Sequence, residues 1–188
     1  MKKILLIVNL LISFNLFAEV GKITGLDIPR FVSLKSDDVN LRVGPSVNYP
    51  IELNYVQKNL PVEIIDEFDV WRKVKDHHKN IGWLHKSLIK GDRFVLTINK
   101  NKKKNIYKRP NGQIIGQVSI NNIFSLKSCL TNWCLVSNKD IKGWVSKDFI
   151  WGVYKYEIYN QNFFQPLINQ YWKVLDSKFI SEVIYPSK

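Results

Sequence analysis

Residues 81–89 read IGWLHKSLI, and residues 142–150 read KGWVSKDFI. The two stretches place Gly82 over Gly143 and Trp83 over Trp144 at a constant offset of 61. Working outward, Trp71 falls on Trp133, each a short hairpin before its GW pair. Further upstream NLRVGPS at 40–46 lies over NIYKRPN at 105–111, with Asn40 on Asn105 and Pro45 on Pro110 at an offset of 65. The second copy is therefore four residues shorter between its proline and its GW pair (65 against 61), and a deletion of that size belongs in a loop.

Within each copy the residues alternate as short strands do. PVEIIDEF at 61–68 sets Val62 and Ile64 against Glu63, and VWRKVKD at 70–76 puts Val70, Arg72 and Val74 on one face and Trp71, Lys73 and Lys75 on the other. IGWLH follows after the polar DHHKN at 76–80. The second copy repeats this as IFSLKSCL, WCLVS and IKGWVS, separated by TN and NKD, whose Asn and Asp supply turn chemistry. Close-set strands with no helix-length apolar period between them predict small, strongly bent all-β barrels. KSLI and KDFI, after each GW hairpin, read as a single helical turn that closes a barrel.

The ordered set VNLRVGPSVNYP, LPVEIIDEFDVWRKV, GWLHKSLI, CLTNWCLV and KGWVSKDFIWGVY resembles exported bacterial proteins that carry two tandem bacterial SH3-like domains. The resemblance covers roughly residues 30–155. It implies two five-stranded SH3-like barrels, at 30–91 and 92–153, and a role in binding peptides or glycans of the cell envelope rather than catalysis. In the second copy Tyr107 stands where the first has Arg42, and Arg109 where it has Gly44, so ligand contacts of the first loop are expected in the first barrel.

Cys129 and Cys134 bracket LTNW. A two-residue turn at Thr131 and Asn132 would pair Leu130 with Trp133 and set the cysteines opposite one another, close enough for a disulfide. A redox pair would be spaced Cys-x-x-Cys beside a helix, and a zinc site would need further thiolates, so a structural disulfide is the expectation. On the Trp71–Trp133 register the first copy has Glu67 and Arg72 at these two positions, a predicted cross-strand ion pair. As an exposed pair it is expected to contribute only about 0.2–1 kcal/mol, so it supports the register more than the stability.

The 188-residue chain carries a formal net charge of +12. Lys2 and Lys3, the apolar run Ile4–Phe17 and Ala18 read as a secretory signal over residues 1–18, although Leu16 is bulky for the position three residues back from a cut. Export to the periplasm or envelope favours the disulfide and argues against a nucleic-acid partner. KNKKKN at 100–105 is the densest basic cluster. No later apolar run reaches membrane-spanning length. His77, His78 and His85 sit in or beyond a hairpin turn with only Asp76 near, so neither a metal site nor a serine triad is expected, and no cofactor motif is present. Asp66, Glu67 and Asp69 read as solvated turn residues rather than paired catalytic acids.

The aromatic residues are the stronger functional signal. Six tryptophans and eight tyrosines exceed what two miniature cores need. Arg42, Tyr49, Tyr55, Trp71 and Trp83 are the predicted ligand-binding set, in which aromatic faces take a peptide or sugar and a cation meets a carboxylate. The GW tryptophans are expected to pack across the barrel ends. In the tail, QPLINQYWKVLDSKF spaces Leu167, Ile168, Tyr171, Trp172 and Leu175 as one helical face after Pro166. Such a helix either caps the barrels or, with Lys173 and Lys178, meets a protein partner or a membrane surface, the scaffold alternative to ligand binding. FISEVIY at 179–185 reads as a last strand.

Overall fold

The computed structural model describes residues 19–98 and 104–175. The expected signal at 1–18, most of KNKKKN, the FISEVIY strand and Lys178 lie outside the described residues, as do the side chains of Lys173 and Leu175. Among the described residues no helix is long and apolar enough to cross a membrane.

Among the described residues the fold is all-β with one helix near the C-terminal end. A short hairpin, β1 (Glu19–Val20) with β2 (Asp27–Ile28), precedes the first barrel. That barrel comprises β3 (Arg30–Leu34), β4 (Val39–Arg42), β5 (Ile51–Tyr55), β6 (Pro61–Phe68), β7 (Trp71–Lys75), β8 (Ile81–His85), a 3-10 turn at Lys86–Leu88 and β9 (Ile89–Lys90). The second comprises β10 (Phe94–Thr97), β11 (Lys104–Tyr107), β12 (Ile114–Val118), β13 (Ile123–Cys129), β14 (Trp133–Ser137), β15 (Lys142–Ser146), a 3-10 turn at Lys147–Phe149 and β16 (Ile150–Trp151). Helix α1 (Gln165–Leu175) follows.

The two sheets have one strand order, β5-β4-β8-β7-β6-β3-β9 and β12-β11-β15-β14-β13-β10-β16, each strand of the second occupying the place of its counterpart in the first. Each sheet has seven strand segments rather than the five expected, because the chain entering the barrel (β3, β10) and the two residues leaving it (β9, β16) also pair with each other. These are SH3-like barrels.

The glycine of each GW pair has a packing reason. A Cβ on Gly82 would lie 2.6 Å from Leu41 Cγ and 2.7 Å from the Arg42 carbonyl, and one on Gly143 would meet Ile106 and the Tyr107 carbonyl in the same way. Without side chains there, β8 and β15 cross close over β4 and β11, and the tryptophan that follows turns to the outer face.

Val39, Leu41, Val62, Ile64, Val74 and Leu84 fill the first core, and Val95, Ile106, Phe124, Leu126, Val136 and Val145 the second. Leu96 of β10 belongs to the first core, with Ile98, Ile123 and Trp151 packed against it, so the barrels share a wall. Trp151 meets Phe31 edge-on at 5.1 Å and donates from Nε1 to the Pro61 carbonyl at 3.3 Å.

Candidate ligand-binding face of the first barrel

Neighbouring residues on paired strands share a face. One such row crosses the outer side of the first barrel from β5 to β6: Ile51, Arg42, Trp83, Lys73 and Asp66. Trp83 is half-buried, with a cation on either side, and the Lys73 ammonium lies 5.9 Å from its ring centre. The next row is Phe68, Trp71 and His85. The Trp71 and His85 rings meet edge-on at 5.5 Å, and the His85 Nδ1 accepts from the Ser87 N–H.

The loop between β4 and β5 borders this face. Arg42 Nη1 donates to the Tyr49 carbonyl at 2.7 Å, which ties the loop back to the strand. The Tyr49 ring lies over Gly44, where a Cβ would stand 2.6 Å from it. Tyr49 is 46% exposed, and Val43, Val47 and Ile51 are exposed beside it in sequence. The face therefore offers an accessible aromatic ring, a half-buried tryptophan, aliphatic surface and two cations.

Of the five residues expected to bind ligand, Arg42, Tyr49 and Trp83 come together here. Tyr55 does not. It is 6% exposed in the first core and donates its hydroxyl to Asp76 at 3.1 Å. Burial, and then the Asp76 carboxylate, push its phenol above the ordinary range. Trp71 keeps its place on the outer face but is only 8% exposed, so it supports the face rather than offering it. Lys73, which was not among the five, joins the candidate face, and its spacing of two from Trp71 had placed it on the same side. Trp83 likewise lies on the outer face rather than across the barrel end.

The second barrel carries the counterpart row Ile114, Tyr107, Trp144, Leu135 and Ser128. Tyr107 and Leu135 stand where the first barrel has Arg42 and Lys73, so this row has lost both cations and is mostly apolar. Helix α1 covers it. Trp172 meets Trp144 edge-on at 5.8 Å, and Trp144 is 6% exposed. Gln165, Ile168, Asn169 and Trp172 form the covered side of α1, whereas Leu167, Tyr171 and Val174 are exposed. The expected apolar stripe is thus split between two sides of the helix.

Cys129 and Cys134 pair directly on β13 and β14 and are joined by a disulfide. Glu67 and Arg72 pair at the same place on β6 and β7. They are not a solvated surface pair, since both are buried, and Glu67 has closer partners than Arg72. Arg30 Nη2 lies 2.6 Å from its carboxylate and Arg72 Nε 3.5 Å, while Thr24 donates from both N and Oγ1. Asp76 is buried and organises the turn of the first barrel, accepting from the backbone of His78 and Asn80 and from the Asn80 side chain. His77 is pushed down by burial and by His78 beside it, against Asp76. Among the described residues no three His, Cys, Asp or Glu side chains are placed to hold a metal.

Residues 35–91 match the family model of the bacterial SH3 domain. The SH3 segment takes in β4 to β9 and every residue of the face just described. No curated protein matches the chain. Among solved structures it is similar to NlpC2 from Trichomonas vaginalis, at 15% identity and a TM-score of 0.30, over 65% of this chain and 48% of that one. It is similar to NlpC1 from the same organism at 14% identity and a TM-score of 0.28, over 70% of this chain and 48% of that one. The structure described as Endolysin LysPBC5 CBD aligns at 14% identity and a TM-score of 0.27, over 70% of this chain and 93% of its own. The chain thus spans about half the length of the two NlpC proteins.

Proposed function

We propose that this chain is a non-enzymatic, exported binding protein of the cell envelope, with SH3-like units at 30–91 and 92–153, and that its first barrel holds a peptide or glycan of the peptidoglycan type. The observation that carries the reading is the outer row Arg42–Trp83–Lys73, whose half-buried tryptophan stands between two cations beside the exposed Tyr49, whereas the tryptophan of the counterpart row is buried against Trp172 and has no cation beside it in that row. Aromatic faces accept sugar rings and peptide planes, and the flanking cations suit a stem-peptide carboxylate. The bacterial SH3 match over the same residues supports a binding module.

Co-sedimentation of residues 19–188 with isolated peptidoglycan sacculi tests this. Retention should persist at high salt and weaken about tenfold in Tyr49→Ala and Trp83→Leu variants whose folding has been checked. Absence of retention, or retention that salt abolishes and the variants leave unchanged, overturns it.

The outward Leu167, Tyr171 and Val174 favour a second reading, in which the tail helix engages an envelope protein. A photoreactive residue at Leu167 should then crosslink one discrete protein in cells, and Tyr171→Ala should abolish the adduct. Lack of any such adduct removes this reading.

A further inference from the structure

A separate concavity of about 460 Å³ lies where the two barrels meet. The loop before β6 gives it Lys58 and Asn59, and the second barrel gives it Phe94, Ile123, Lys127 and Lys139. It shares no residue with the Arg42–Trp83–Lys73 face.

Three properties of this cleft point to one ligand chemistry. Among the described residues its lining has three lysines and no carboxylate. None of the three makes an ion pair with a described residue, unlike Lys75 with Glu63 or Lys90 with Asp92. Three like charges around one concavity raise the potential inside it and favour an anion there. The floor is apolar, formed by the half-buried Phe94 and Ile123, so the anion arrives on a body with an apolar face. Finally, Asn59 Oδ1 is buried and accepts no hydrogen bond from a described residue, and its natural partner is a hydroxyl or amide N–H.

The cleft is held in shape. The Asn59 N–H donates to the Leu34 carbonyl at 3.0 Å, and Gln57 Nε2 reaches the Asn121 carbonyl of the other barrel at 3.4 Å. The Trp151–Pro61 hydrogen bond and the shared wall at Leu96 fix the two barrels against each other.

We propose that this inter-barrel cleft binds a segment of an acidic glycan. Lys58, Lys127 and Lys139 take its anionic groups, Phe94 takes the face of a sugar ring, and Asn59 Oδ1 accepts from a sugar hydroxyl or an N-acyl amide. Strands of nucleic acid are anionic too, but their binding sites stack successive bases on several aromatic rings, and this cleft has one half-buried phenylalanine.

Calorimetry on residues 19–188 with hexagalacturonate, neutral maltohexaose and a six-nucleotide single-stranded DNA tests it. Hexagalacturonate should bind and maltohexaose should not. Replacing Lys58, Lys127 and Lys139 together by Ala should weaken hexagalacturonate at least about tenfold, while the charge-matched replacement of the exposed Lys22, Lys35 and Lys86 should change it less than about twofold. Equal weakening by both triple variants would reduce the effect to net charge and overturn the proposal. So would no binding of hexagalacturonate, or DNA binding as tight as the glycan. Trp83→Leu and Tyr49→Ala should leave hexagalacturonate binding intact, which separates this cleft from the face proposed for sacculi.

Discussion

Glu67 shows how much one side chain does in the first barrel. Its carboxylate accepts from the N–H groups of Ile23 and Thr24 and from the Thr24 hydroxyl, and it faces the guanidinium groups of Arg30 and Arg72. Burial raises its pKa, but hydrogen bonds from Arg30 and Thr24 outweigh burial and hold it at about 2, below its ordinary 4.5. A carboxylate depressed on folding stabilises the fold fully above its unfolded pKa and loses that contribution as pH falls through the folded value. Glu67→Gln should therefore cost on the order of 3 kcal/mol at pH 7, and its urea-unfolding stability should vary less between pH 4.5 and 2 than that of the parent. The pairing of Glu67 with Arg72 was legible, because a hairpin register depends only on the turn and its flanking alternation. Its dominance by Arg30 and Thr24 was not, since those partners lie 37 and 43 residues away, Arg30 at the start of β3 and Thr24 in the β1–β2 hairpin that the alternation did not reveal. Gly82→Ala is a second test at this scale. Its new Cβ meets Leu41 and the Arg42 carbonyl, so chemical denaturation should show a loss of about 1–3 kcal/mol.

Among the elements, the hairpins read most clearly. β6, β8 and both 3-10 turns fall where alternation and turn residues placed them. Tyr55 read wrongly because its strand shows little alternation in exposure, and only the fold brings Asp76 to its hydroxyl. The disulfide of the β13–β14 hairpin closes a short loop, so its contribution is small on the chain-entropy account. Replacing Cys129 and Cys134 together by Ala should lower stability by about 2 kcal/mol while leaving the far-ultraviolet dichroism unchanged. Helix α1 was legible as a helix from its spacing, but an amphipathic pattern does not name its seat. The seat is set by the exchange of Arg42 and Lys73 for Tyr107 and Leu135, which makes the second barrel's outer row apolar enough to hold Trp172. Deleting residues 161–188 should uncover Trp144 and shift tryptophan emission to longer wavelength. An unchanged spectrum would contradict that seat.

Across the whole molecule, the two barrels are joined by more than the peptide between them. Trp151 and Tyr154 reach back to Phe31, the Ser33 hydroxyl donates to the Asp92 carbonyl, and the Arg93 guanidinium lies against the Phe31 ring while pairing with Glu157. Trp151→Ala should cost about 3 kcal/mol and speed amide hydrogen exchange in both barrels, whereas independent barrels would respond one at a time. The covered Trp144 also bears on how the molecule meets a repetitive polymer. Duplicated modules ordinarily gain avidity, because the first engagement raises the local concentration for the second. With Trp172 on the tryptophan of the second row, and no cation left beside it in that row, the binding proposed for the first row is monovalent. On that proposal, the outer rows give the chain one hold on a polymer rather than two, despite two copies of the module.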